Sequence, residues 1–231
     1  MRILSIDTAT KVMGVALADD NKLIGEACLN VGKTHSQRLL PLLAALLENA
    51  ELDPSQIDAV AVTSGPGSFT GLRIGIATAK ALAKAWQRPV IPVCTLDALA
   101  YNARHLSEYI CPVLDARKSQ LYSALYNSEA SRLENPCAVT VAELAASLQH
   151  KGGRVLFLGD GAEAAFPFFK EALAERALLM PKARRLFIAS SVAELALKEA
   201  KAGNFMMPEQ LKAFYLRASE AEVKKKVLIG K

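Results

Sequence analysis

A chain of 231 residues, 52% apolar and 22% charged, has ample material for a buried core and is too apolar for bulk disorder. Its longest apolar run, Leu39 to Leu47, is interrupted by Pro41 and is far too short to span a bilayer. With no cleavable apolar leader after Met1-Arg2, a cytoplasmic protein without a membrane segment is expected; the net charge of +5 permits an RNA partner but does not demand one.

Residues 3–7 read as a strand ending on Asp7, residues 12–18 as its hairpin partner and residues 22–31 as a third strand, together a β-meander. Thr34-His35-Ser36-Gln37 fits a capping box, and Leu39, Leu42, Leu43, Leu46 and Leu47 recur at helical spacing behind it. Asp53-Pro54-Ser55-Gln56 starts a short second helix, with Asp as cap and Pro in the first turn. Residues 58–63 form an apolar strand and Gly65-Pro66-Gly67-Ser68 a tight turn. A long helix then runs to about Gln87, where Arg88-Pro89 stops it. Residues 89–94 supply another strand, so strand, turn, helix and strand imply a parallel pair with a right-handed crossover. Asp97 reads as the cap of a helix starting near Ala98.

The second half restarts the plan. Residues 110–114 run into Asp115, and residues 120–126 make a hairpin partner. Thr140-Val141-Ala142-Glu143 opens a helix with a capping box, and residues 154–158 form a strand. Gly159-Asp160-Gly161 then turns into another helix, and Ser191-Val192-Ala193-Glu194 caps a last one that ends at Gly203-Asn204. Meander with acid, helix, strand, glycine turn and helix therefore occur twice, with Asp115 in the place of Asp7, at a period too long for a solenoid. The expected architecture is a duplicated α/β fold of two lobes, residues 1–103 and 104–217. Residues 218–231 follow as a basic tail in which Lys224-Lys225-Lys226 reads as solvated.

Asp7, followed by Thr8-Ala9-Thr10, reads either as a turn cap or as an acid that holds a magnesium–nucleotide or acts as a base. Asp115 has the same two readings; Arg117 and Lys118 beside it are phosphate contacts or simply an exposed basic turn. Gly65-Pro66-Gly67-Ser68-Phe69-Thr70-Gly71 joins a strand to a helix N-terminus, where amides and dipole suit an anion, yet no Gly-Lys-Ser/Thr follows. Asp7, Gly65 and Gly67 are thus candidate nucleotide-binding residues, set against a sharp turn with close helix packing. Gly71, Gly75, Ala79 and Ala83 form a stripe of small residues at four-residue spacing, suited to core packing or to a partner helix. His35, His105 and His150 lack metal-ligand spacing, and Cys28, Cys94, Cys111 and Cys137 contain no C-x-x-C pair, so neither a metal site nor a disulfide framework is suggested.

Three stretches resemble the bacterial TsaB (YeaZ) family: Ile6-Asp7-Thr8-Ala9-Thr10, His35-Ser36-Gln37-Arg38-Leu39-Leu40-Pro41, and Gly65 through Gly75. Tyr215-Leu216-Arg217 resembles that family's C-terminal motif, although Ala213 stands where the family usually has Pro. The likeness is dense over the first hundred residues and patchier to residue 217. It implies an actin/Hsp70/sugar-kinase-like (ribonuclease H-like) fold and a role in making the threonylcarbamoyladenosine of tRNAs that read codons beginning with A. In that system a TsaD subunit, a paralogue of TsaB, transfers threonylcarbamoyl to N6 of adenosine 37, and a TsaE ATPase docks on the pair. The resemblance also implies that this chain lacks the two metal-binding histidines of TsaD, because Thr95 and Leu99 stand in their places.

The expected function is that of a non-catalytic accessory subunit with no catalytic residue, metal or cofactor of its own. It would pair with a TsaD-like paralogue, and with itself in isolation, through Leu39, Leu43, Leu47, Leu72, Ile76 and Ala79. It would meet the ATPase and tRNA only within the complex. The competing readings are a nucleotide-dependent phosphotransferase, a metallopeptidase and a tRNA-binding module. The last is disfavoured by the lack of an aromatic-rich basic run.

Overall fold

The computed structural model describes residues 1–31 and 35–216. Thr34, Arg217 and the tail 218–231 lie outside the described residues. The first sheet contains β1 (Arg2–Asp7), β2 (Met13–Asp19), β3 (Leu23–Leu29), β4 (Ala59–Gly65) and β5 (Val90–Cys94) in the order β3-β2-β1-β4-β5. The second contains β6 (Tyr109–Asp115), β7 (Gln120–Asn127), β8 (Arg132–Thr140), β9 (Val155–Leu158) and β10 (Ala177–Leu179) in the order β10-β9-β6-β7-β8. Read from the opposite edge, the second order reproduces the first strand for strand. The pairing sense also repeats: β1 is antiparallel to β2 and parallel to β4, as β6 is to β7 and β9. The duplication is therefore real, and it sets Asp7 and Asp115 at the carboxyl ends of equivalent strands.

Among the described residues, six α-helices accompany the strands: α1 (His35–Asn49), α2 (Phe69–Trp86), α3 (Thr95–Asn102), α4 (Val141–Gln149), α5 (Ala162–Leu173) and α6 (Ala189–Lys201). The expected capping box of Thr140 with Glu143 forms, and the expected cap Asp53 forms a box with Gln56. The Asp53 box starts only a single 3-10 turn, Pro54–Gln56. Two expected helix starts are displaced. α3 begins at Thr95, so Asp97 lies in its first turn, where its carboxylate receives Arg132 Nη2 at 2.6 Å and the Tyr126 hydroxyl at 2.6 Å. α6 begins at Ala189, and Ser191 is a buried residue inside it. Its first-turn amide at Ser190 is satisfied by Glu26 of β3 at 2.9 Å, a tertiary cap that no local pattern encodes.

Three apolar clusters lie among the described residues. α1 and α2 cover one face of the first sheet, where Leu39, Leu43, Leu72 and Ile76 meet Leu4, Val15, Leu17 and Val62. α4 and α5 cover the outer face of the second sheet, with Phe157 stacked on Phe169 at 4.1 Å between ring centres. The third cluster is continuous between the lobes: Ile3, Ala16, Ala61 and Ile91 share it with Leu114, Ala124, Leu158 and the α3 and α6 side chains. Prising the lobes apart would expose several buried Leu and Ile side chains at about 2 kcal/mol each.

The expected second lobe runs to residue 217, and the last part of that span packs on the first sheet. After β10 the chain returns to the first sheet. Ser5 donates its hydroxyl to Ala189 O at 2.6 Å, Val90 and Met206 exchange backbone hydrogen bonds, and the Phe214 amide donates to Ser64 O at 2.7 Å. α6 and the segment after it thus belong to the first lobe by contact, although they follow the second in sequence.

Candidate functional site

The carboxyl ends of β1, β4, β6 and β9 converge where the two lobes face each other, the usual place for a ligand in an open α/β sheet. Asp7 is 1% exposed there. Its Oδ1 accepts from the Ala9 amide at 3.1 Å and the Thr63 hydroxyl at 2.9 Å. Burial pushes its carboxyl up to about 6, partly opposed by those two hydrogen bonds and by His35, and reinforced by the charge of Asp160. Asp160 is also held above the usual range, chiefly by burial, although the Asp115 amide donates to it at 3.0 Å. Asp115 is exposed and accepts from the Arg117 amide at 2.7 Å, in a turn. The duplicated acids therefore have unequal settings, and the acid that the fold brings toward Asp7 is Asp160.

The glycine turn before α2 is packed against the chain itself. Gly65 has φ +126°, and a Cβ there would lie 2.3 Å from Phe214 O. A Cβ on Gly67 would lie 2.4 Å from Ala9 O, and one on Gly71 2.1 Å from Thr8 O. The Ser68 amide donates to Ala9 O at 2.7 Å, and the Ser68 hydroxyl caps α2 through the Gly71 amide at 3.2 Å. These glycines let three backbone segments meet, and two amides that an anion would use are engaged inside the protein. Of the two readings offered by the sequence, close packing accounts for Gly65 and Gly67.

The six side chains expected at a partner surface are core residues. Leu39, Leu43 and Leu47 are 1%, 4% and 7% exposed, and Leu72, Ile76 and Ala79 are 0%, 7% and 0% exposed. The strongest helical period marks the face buried by the chain's own sheet, which is why it cannot also mark a partner. The outward faces lie one step round each helix. On α1 they present Leu40, 52% exposed, with Pro41 and Ala44; on α2 they present Ala77 and Ala81. A single exposed leucine among alanines is a faint signal in the sequence, overshadowed by the core stripe next to it.

The family model described as TsaD, tRNA N6-adenosine threonylcarbamoyltransferase, matches residues 29–225. The tRNA threonylcarbamoyladenosine biosynthesis protein TsaB of Bacillus subtilis is 34% identical over 228 residues, covering 97% of each chain. The chain belongs to the TsaB family. The same fold occurs in a Pseudomonas aeruginosa crystal structure described as similar to the peptidase YeaZ. It has a TM-score of 0.78 and 28% identity, and the match covers 94% of this chain and 99% of that one. A ROK hexokinase from Thermus thermophilus shares the fold alone, with a TM-score of 0.50 at 13% identity over 88% of this chain and all of that one. The architecture is thus the two-lobed actin/Hsp70/sugar-kinase-like one.

In this TsaB-family chain, Thr95 and Leu99 are both fully buried on α3. Thr95 offers only a hydroxyl without a hydrogen-bond partner, and Leu99 offers no donor, so the pair does not fit a metal. No group of three or more His, Cys, Asp or Glu among the described residues stands together as a metal site. No described helix is long and apolar enough to cross a membrane.

The C-terminal segment adds an aromatic cluster to the surface of this TsaB-family chain. Tyr215 packs its ring 5.1 Å from that of Phe69, Arg73 lies 3.9 Å over Phe69, and Arg73 Nε donates to the Tyr215 hydroxyl at 3.4 Å. In the sequence, only the likeness of Tyr215-Leu216-Arg217 to the family's C-terminal motif points toward it.

Proposed function

We propose that this chain is a non-catalytic accessory subunit in the formation of threonylcarbamoyladenosine on tRNA, and that it acts by pairing with a TsaD-like catalytic paralogue. The supporting observation is the outward face of α1 and α2, where Leu40, Pro41, Ala44, Ala77 and Ala81 stand exposed beside the core. Small side chains at four-residue spacing allow another helix to approach closely, and a paralogue built on the same plan carries a comparable pair of helices. Pairing between such faces is isologous or nearly so, which makes a self-dimer the competing state in isolation. A TsaE-like ATPase is then recruited by the pair, and the tRNA is modified at the paralogue's centre.

Family membership supports the tRNA modification pathway, and the self-packed glycine turn supports a role other than phosphoryl transfer. The test is light scattering of the chain with its TsaD-like paralogue. Leu40→Arg and Ala81→Glu are expected to keep the fold and abolish the one-to-one complex. An unchanged complex in both variants would move the interface elsewhere. Nucleotide turnover by the chain alone, lost in Asp7→Ala, would replace this reading with a phosphotransferase.

A further inference from the structure

We infer that this chain carries its own RNA-binding strip, formed by the basic flank of α2 and the aromatic cluster that the C-terminal segment adds to it. No Asp or Glu stands between Asp58 and Asp97, and none stands between Glu209 and Glu220. The fold brings the described part of the second stretch onto the first: the turn Pro208–Gln210 packs on α2, and the Phe214 amide bonds to Ser64 O. Arg73, Lys80 and Lys84 follow each other at spacings of seven and four residues. At about 100° per residue they fall within roughly 40° of one another on a strip about 16 Å long. Ala77 and Ala81 lie farther round, so this strip borders the proposed paralogue-binding face and is not its centre.

None of the three cations forms an ion pair among the described residues. Glu209, on the turn against α2, is exposed and pairs with neither lysine. At the N-terminal end of the strip stand Phe69 and Tyr215 with the Arg73 guanidinium over the Phe69 ring. Phe214 and Tyr215 are 43% and 36% exposed, and Lys212 is exposed in the same segment. Cations in line along a helix match a phosphate backbone. Exposed rings beside a guanidinium offer a base a stacking surface, which an acidic protein partner would not need. RNA is therefore the occupant these features favour.

The inference rests on the tRNA-modification reading for which RNA to offer, but it is tested on the chain alone. Binding of labelled, unmodified tRNA is measured by fluorescence anisotropy across a salt series, with complex formation by the TsaD-like paralogue measured in parallel. The wild-type chain is expected to bind with steep salt dependence. Lys80→Gln/Lys84→Gln and the triple variant with Arg73→Gln are expected to bind at least tenfold more weakly. Loss of all three contacts should flatten the logarithmic salt slope by about 2. Tyr215→Ala is expected to weaken binding about tenfold with little change in slope. Thermal melting of each variant checks the fold, and the lysine pair keeps the test valid if Arg73→Gln disturbs the ring cluster. Absence of salt-dependent tRNA binding by the wild-type chain, or unchanged binding by the lysine pair, overturns the inference while the complex measurement judges the subunit reading separately. Loss of paralogue binding with tRNA binding intact would assign the strip to an acidic protein surface and also overturn it.

Discussion

Replacing Asp7 by Asn is expected to stabilise this protein at neutral pH. The Asp7 carboxyl is pushed up to about 6 in the folded chain from an ordinary value of 3.8, with burial as the main cause. A raised carboxyl binds its proton more tightly in the folded state than in the unfolded one. Its contribution is therefore most favourable below about pH 4 and is lost as pH rises through about 6. Above that, a buried carboxylate costs on the order of 3 kcal/mol, at about 1.4 kcal/mol for each tenfold change in proton affinity. Asparagine keeps an oxygen to accept from the Ala9 amide and the Thr63 hydroxyl, and it removes the negative charge facing Asp160. For a chain of this size that corresponds to a rise in Tm of roughly 5–10 °C. Calorimetric melts of both proteins near pH 7 and near pH 4 decide the matter. The gain should be present at the first and nearly absent at the second. An Asp7→Asn variant that melts at or below the wild type near pH 7, or gains equally near pH 4, refutes the assignment of a buried, charge-penalised acid.

Leu43→Ala is expected to lower stability by about 2–5 kcal/mol in a denaturant titration, because its side chain is core and leaves a cavity under α1. Gly67→Ala places a methyl group 2.4 Å from Ala9 O and is expected to cost about 1–3 kcal/mol by the same measurement. Asp97→Ala removes the acceptor of the Tyr126 hydroxyl and the ion pair to Arg132, for an expected loss of about 1–3 kcal/mol read as a lower Tm.

Local physics made much of the fold legible. Strand alternation, the Asp53 cap, the capping box at Thr140 and the glycine turn after β4 are consequences of a few adjacent residues. Repetition of that local order disclosed the duplication, which the matching strand orders of the two sheets make plain. Strands β8 and β10 were not legible: β8 is an exposed, polar edge strand containing Pro136, and β10 has only three residues. The start of α6 is not legible because the Ser190 amide in its first turn is satisfied by Glu26, a residue far away in the chain.

The site was divided in the same way. The sequence alone determined the family, the position of Asp7 at a strand end and the glycine spacing before α2, because each depends on residue types at short separation. Tertiary structure decided what those features do. Amphipathic period shows that a helix has a buried face, but only the packing shows that the chain's own sheet buries Leu43 and Ile76 and leaves Leu40 and Ala81 outside. Glycine spacing permits either a bound anion or a close backbone approach; Ala9 and Phe214, brought in from elsewhere in the chain, occupy that space. The ring of Tyr215 reaches Phe69 and Arg73 only because the chain crosses back over the first sheet after completing the second lobe. Such juxtapositions depend on the path of the backbone between distant residues, which no local pattern records.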